Sequence, residues 1–211
     1  MQKSTFREWT LAKIDKTFGT RQIATDAVLT DWLAMQTPLS AMDEHYLSLL
    51  QRTLRIGVYD WNETELENKF ISPLIVYAEL DSYDFSYFLE RDLDGVIDTY
   101  YLTGRVDGMI ASGFREPDKP YFCLYEYKKE KDPEGDPAAQ ALVAMMVAQD
   151  KNADNLPVYG GFIIGKNWQF MVLKDRKYAI SNTYSADSAD IYAIFQAIKG
   201  LKIIISERIN L

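Results

Sequence analysis

One cysteine and one histidine are all that 211 residues contain of the two strongest metal-binding side chains. A single thiol excludes an internal disulfide and a cysteine zinc cluster. Cys123, in the middle of an apolar stretch, reads as a small core residue. His45 follows Asp43 and Glu44 in what the pattern makes the first turn of a helix, and reads as a surface residue rather than a ligand or general base. No apolar run approaches the roughly 20 residues that a membrane span needs. The opening Met-Gln-Lys-Ser-Thr-Phe-Arg-Glu-Trp lacks the apolar segment of a secretory signal, so the expected location is cytoplasmic, with no membrane partner. Internal repeats, low-complexity tracts and obvious linkers are absent too. Positive charge is in deficit: the net charge of −8 argues against a surface built for general attraction to phosphate backbones. A local basic groove, or a site that attracts divalent cations, remains compatible with it.

What is present describes an ordinary globular chain, with 47% apolar and 26% charged residues. The length fits one sizeable domain, or a domain with a helical extension. Residues 1–58 read as that extension, all helical. Trp9, Leu11, Ile14 and Phe18 recur at helical spacing before Gly19, a second segment runs from Ile23 to Met35, and a third opens near Ser40 with Tyr46, Leu47, Leu50, Leu54 and Ile56. Residues 59–211 read as the main domain. Asn62-Glu63-Thr64-Glu65 has the form of a helix cap with Glu at the third position, opening a helix to about Ala78. Glu63, Leu66, Phe70 and Leu74 share a stripe of it, Glu67 lies one turn beyond Glu63, and Pro73 predicts a kink or a tightened turn. Strands are expected over 85–96 and 99–112, the second carrying Asp107. A loop follows over 130–137, and then a helix capped by Asp136, buried on nearly every side, with Gln140 as its polar exception. A hairpin over 158–174, a strand at 177–180 and a closing helix from Ser185 to about Arg208 complete the chain.

The most informative stretch is Pro120-Tyr-Phe-Cys-Leu-Tyr-Glu-Tyr-Lys-Lys129. Strict alternation puts Tyr121, Cys123, Tyr125 and Tyr127 on one face, and Phe122, Leu124, Glu126 and Lys128 on the other. An acid and a base thus emerge together from an apolar face. Such a pair costs free energy unless it is matched, hydrated or holding a metal. With the strands over 85–96 and 99–112, short links predict an antiparallel meander.

The order of acidic helix, strand, strand with Asp107, strand with Glu126-x-Lys128 and helix with Gln140 resembles the PD-(D/E)XK nuclease superfamily. Asp107 stands 19 residues before Glu126, and Gln140 falls early in the next helix. The segment from Asn62 to Leu74 is similar to the opening helix of the nuclease domain of type I restriction motor subunits. The resemblance covers roughly residues 60–175, with Val106 where the family places proline. It implies an α/β (α+β) restriction-endonuclease-like fold, a mixed central sheet flanked by helices. It also implies hydrolysis of phosphodiester bonds with Mg2+ or Mn2+, in DNA before RNA. Asp107, Glu126, the Tyr127 carbonyl and Glu63 would be the metal ligands. Lys128 would orient water or stabilise developing charge, and Gln140 would fix the pair or touch the substrate. Glu63 is preferred to Glu67 as the helix acid. Many relatives act as dimers, which leaves a homodimer open.

The alternative is a nuclease-like module without turnover, acting through a protein partner. The acidic charge favours it. The N-terminal aromatics Trp9, Phe18, Trp32 and Tyr46 could then face that partner, although core packing is the simpler reading for them.

Overall fold

The computed structural model describes residues 1–131 and 133–209. In chain order it contains β1 (Gln2–Thr5), a 3-10 turn (Phe6–Glu8), α1 (Leu11–Phe18), β2 (Arg21–Gln22), α2 (Ala27–Ala34) and α3 (Ala41–Gly57). Next come α4 (Glu63–Leu66), a π-helical turn (Glu67–Ile71) and α5 (Ser72–Tyr77). Strands β3 (Phe85–Ile97), β4 (Tyr100–Ser112) and β5 (Asp118–Lys128) lead into α6 (Pro137–Asn152). The chain closes with β6 (Val158–Ile164), β7 (Asn167–Lys174), β8 (Lys177–Ile180), β9 (Tyr184–Ser185) and α7 (Asp190–Ile209). The loop expected over 130–137 joins β5 to α6; its residue 132 lies outside the described residues.

Among the described residues the strands form one mixed sheet in the order β1-β4-β5-β6-β7-β8-β2, with β3 also on β4 and β9 also on β7. Helices cover both faces. One layer gathers Trp9, Ile14 and Phe18 with nearly all of α6, and the other gathers the buried faces of α2, α3, α5 and α7. Trp9, Phe18 and Trp32 are buried in these layers and Tyr46 packs on Tyr77, so these four aromatics are packing residues. His45 is exposed and Cys123 is buried. Among the described residues no helix is long and apolar enough to cross a membrane.

The expected meander β3-β4-β5 is present and antiparallel. The N-terminal region differs from its all-helical reading. β1 joins β4 in parallel and β2 joins β8 in parallel, so this region contributes two strands to the sheet. Both are too short and too polar to show an alternation. Trp9 lies outside α1, at the position before the Thr10 cap, and shares a cluster with Ile14 in the arrangement of a hydrophobic staple. Ile23 likewise precedes α2 and extends β2, its N–H donating to the Tyr178 carbonyl at 2.8 Å. Residues 184–185 form β9, and the closing helix starts at Asp190 rather than Ser185.

Two further local departures shape the site. Around Pro73 the helix widens rather than tightens. Proline has no N–H for the Lys69 carbonyl, and the preceding turn opens to a π pattern in which Ser72 N–H reaches the Glu67 carbonyl. In β5 the ladder passes from Ile110↔Cys123 to Ala111↔Tyr121, leaving Phe122 as the extra residue of a bulge. The bulge reverses the faces before it: Phe122 joins Cys123, Tyr125 and Tyr127 in one layer, while Tyr121 packs with Leu124 in the other.

β3 occupies one side of β4 along its whole length, from Ile97↔Tyr100 to Phe85↔Ser112. The other side is shared. β1 pairs there over Tyr100–Thr103 and β5 over Gly108–Ser112. Because β1 is parallel and β5 antiparallel to β4, their C-terminal ends point toward each other along one lane. The gap between them faces residues 104–107.

Candidate active site

The gap is where the polar residues of the sheet collect. β5 supplies an acid and a base: past the bulge, alternation carries Glu126 and Lys128 to the α6 side, where they are 6% and 4% exposed. Lys128 Nζ donates to Glu126 Oε1 at 2.7 Å and to the Tyr127 carbonyl at 3.0 Å. β4 supplies Asp107. The last rung of the β4–β5 ladder is Gly108↔Tyr125, and beyond it Tyr127 N–H donates to Asp107 Oδ2 at 2.7 Å. On the opposite face the Tyr127 hydroxyl meets the Tyr87 hydroxyl at 2.5 Å. A Cβ on Gly108 would lie 2.3 Å from the Tyr127 hydroxyl oxygen, so glycine there admits the phenol that anchors Tyr127 from behind.

Helices supply the rest. Asn62 caps α4, accepting from Glu65 N–H at 2.9 Å, and Glu63 at the first helical position reaches to 3.8 Å from Lys128 Nζ. Glu67, one turn on, is half-buried toward Asp107 instead. Asp136 caps α6 by accepting from Ala139 N–H at 3.0 Å, with Pro137 at the first turn. That places Gln140 one turn into the helix and 4% exposed. Among the described residues nothing hydrogen-bonds its side-chain amide. Arg7, Glu63, Lys128, Glu134, Gly135 and Gln140 together line a cleft of about 350 Å3. A hollow of about 370 Å3 lies at the other end of α6, but its Arg176 is already paired to both oxygens of Asp98 at 3.1 Å. It offers no comparable acid–base set.

The electrostatics follow from burial and crowding. Burial pushes the Glu126 carboxyl up, the Asp107 charge adds to the rise, Lys128 opposes it, and the result is about 7. Asp107 is also raised, chiefly by burial, against the pull of the Tyr127 N–H and Lys128. Burial works against the Lys128 ammonium, but Glu126, Asp107 and Glu63 outweigh it and hold the lysine above its ordinary value. Glu67 is raised by burial and by Glu90 and Asp107. Two carboxylates therefore share a desolvated pocket that one ammonium only partly neutralises.

That pattern fits a hard cation. Each acid uses one oxygen internally, Oδ2 on Tyr127 and Oε1 on Lys128, and among the described residues the other oxygen of each accepts no hydrogen bond. Among the described residues no three or more His, Cys, Asp or Glu form a complete ligand group. Two carboxylates and a carbonyl with water suit Mg2+, which keeps several of its waters, better than an ion needing a protein cage.

Of the residues named from sequence, Asp107, Glu126, Tyr127 and Lys128 are directly hydrogen-bonded in a chain, Glu63 stands at its rim, and Gln140 faces it across the cleft. Two others had no sequence signal. Arg7 enters from the 3-10 turn after β1, where no pattern links it to residues about 120 positions later. Glu90 sits in mid-strand between the pairs Leu89↔Gly108 and Arg91↔Val106, in a left-handed conformation with φ of 49°, and its charge reaches both Asp107 and Glu67. No protein-family model matches the chain, and no curated protein is significantly similar to it in sequence.

Proposed function

We propose that the protein is a Mg2+- or Mn2+-dependent nuclease of the PD-(D/E)XK type that hydrolyses phosphodiester bonds in DNA or RNA. One observation carries this reading: the buried Lys128–Glu126 pair lies beside Asp107 at a break in the β4 edge, with a cleft over it. Asp107, Glu126 and the Tyr127 carbonyl would hold the cation. When bound, it would polarise a phosphoryl oxygen and lower the pKa of water. Lys128, kept protonated by its acidic neighbours, contributes positive charge where charge develops in the transition state and orients the attacking water, rather than abstracting its proton. Glu63 adds an acceptor at the rim. Among the described residues nothing engages the Gln140 amide, which would offer its donors to a substrate oxygen.

A second reading, a binding module without turnover, draws support from Lys128 itself. Its ammonium already engages both Glu126 and the Tyr127 carbonyl, two of the groups a cation would need. Cleavage of supercoiled plasmid and of single-stranded DNA and RNA, measured with Mg2+ and with Mn2+, separates the two. The nuclease reading expects cleavage that disappears in both Glu126→Ala and Lys128→Ala. Activity surviving both changes would belong to another protein, and absence of both cleavage and metal binding would leave the binding module.

A further inference from the structure

We propose that Arg7 is a ligand for a substrate phosphate in this cleft, so that the 3-10 turn after the N-terminal strand is part of the active site. The proposal rests on the nuclease reading above and adds the residue that grips the backbone next to the bond being cut.

The position of Arg7 is fixed from both ends. On one side β1 is zipped to β4 as far as Thr5↔Thr103. Phe6 then turns down onto Gly104, buried, with its ring so close that a Cβ there would lie 2.4 Å away. Glycine at 104 is thus the seat of the 3-10 turn. The turn is closed by Glu8, whose carboxylate accepts from the Thr5 N–H at 3.2 Å and from the Ser4 hydroxyl. On the other side Leu11 N–H donates to Asp136 Oδ2 at 3.3 Å, tying the segment to the cap of α6. Arg7 is held between these anchors, where β1 and β5 end head to head, and it lines the cleft with Lys128 and Gln140.

Its partners are the informative part. Acids outnumber bases 31 to 23 in this chain, and the other base of the cleft, Lys128, is paired with Glu126 and stands 3.8 Å from Glu63. Among the described residues Arg7 has neither an ion pair nor a hydrogen bond, although Glu63 and Glu134 line the same cleft. Arg7 is exposed, and its charge reaches Glu126 without a direct ion pair. It presents a guanidinium with five free donors, in a fork that matches two oxygens of a phosphate. With Lys128 and the Gln140 amide it forms a three-sided set of donors, suited to an anion that brings its own charge into the cleft. A backbone phosphate of a nucleic acid strand has that charge and geometry.

The test compares wild type with Arg7→Ala and Arg7→Lys in three measurements. Mn2+ binding is followed by calorimetry without nucleic acid, binding of a short fluorescent DNA oligonucleotide by anisotropy in Ca2+, and kcat/KM for its cleavage in Mg2+. In Arg7→Ala we expect Mn2+ affinity to be unchanged or higher. Oligonucleotide affinity should fall, with a salt dependence smaller by about one ion. Cleavage should drop on the order of 100-fold, and lysine should restore only part of it. Should alanine disturb the turn, Arg7→Lys, with a wild-type melting temperature and reduced kcat/KM, gives the same reading. Wild-type binding and cleavage in Arg7→Ala would overturn the proposal, as would a parallel loss of Mn2+ affinity, which would mark Arg7 as tuning Glu126. Wild-type protein that neither binds metal nor cleaves would instead remove the nuclease reading itself.

Discussion

Tyr127 gives its backbone N–H to the Asp107 carboxylate at 2.7 Å, just past the last rung of the β4–β5 ladder. A side chain has taken the role of a strand carbonyl, and among the described residues the other oxygen of the same carboxylate accepts no hydrogen bond. The bond therefore couples the end of pairing to the start of the site. It also fixes the peptide whose carbonyl Lys128 engages.

Asp107→Asn keeps an acceptor for that N–H and removes the charge. Folding stability is expected to change little, while Mg2+ or Mn2+ binding measured by calorimetry should be lost. Asp107→Ala leaves the N–H without a partner in a mostly buried place, and urea unfolding should show a loss of about 1–3 kcal/mol. A variant Asn protein that binds the cation normally would remove Asp107 from the ligand set.

Lys128→Met separates a lysine that works from one that only neutralises. Without cation the change strands a buried carboxylate, at a cost of about 3–5 kcal/mol where it is ionised, and less where Glu126 protonates, a range that extends further up in pH once Lys128 no longer opposes the rise. With Mg2+ the cation replaces the ammonium at Glu126. Stability should then return to near the wild-type value, metal binding should persist and cleavage should vanish. A large loss of stability that Mg2+ does not repair would assign Lys128 a structural role.

The raised carboxyls set a pH dependence with a definite sign. Glu126 titrates at about 7 in the folded chain against an ordinary 4.5, and Asp107 is shifted in the same direction. The native state thus holds protons that the unfolded chain has already released. In EDTA, stability should fall as pH rises from about 4.5 to about 7 and remain lower above that. Acids held below their ordinary value, such as Asp187 by Lys166 and Asp98 by Arg176, act only at lower pH, near and below 3.8. Mg2+ competes with the same protons, so its affinity should climb through pH 7. Urea midpoints at about pH 5.5 and about pH 8, each with EDTA and with Mg2+, check both signs.

What could be read from the sequence was what alternation and caps encode. Glu126 and Lys128 two apart on an apolar strand, Asp107 on the preceding strand, the Asn62 and Asp136 caps and the all-apolar α6 each had a local signature. The parts that escaped have none. β1 and β2 are four and two residues long and owe their strand form to β4 and β8, far along the chain. The Phe122 bulge needs the register of β4 before it exists, and an alternation count cannot see it. Arg7 was hidden for a related reason: its place depends on a parallel pairing between residues 2–5 and 100–103 that the composition of neither segment demands. Pro73 did signal a disturbance, but whether a helix relieves it by tightening or by widening is decided by what packs around Phe70 and Ile71, both fully buried here.

Gln140 tests the cleft from the helix side. Every other residue of α6 from Pro137 to Ala148 that is buried is apolar. An amide in that setting, with no partner among the described residues, gains nothing for the fold. Methionine has nearly the same length and flexibility and needs no hydrogen bond. Gln140→Met should therefore be neutral or stabilise the chain by up to about 1 kcal/mol, read from the urea midpoint. If the free amide serves a substrate oxygen or holds the substrate side of the Lys128 pair, the same variant should lose cleavage on the order of 10- to 100-fold, with cation binding intact. A gain in stability with a loss of activity is the signature of a residue kept for chemistry at the expense of packing. Destabilisation by Gln140→Met would show that the amide supports the fold, and unchanged cleavage would take it out of the site.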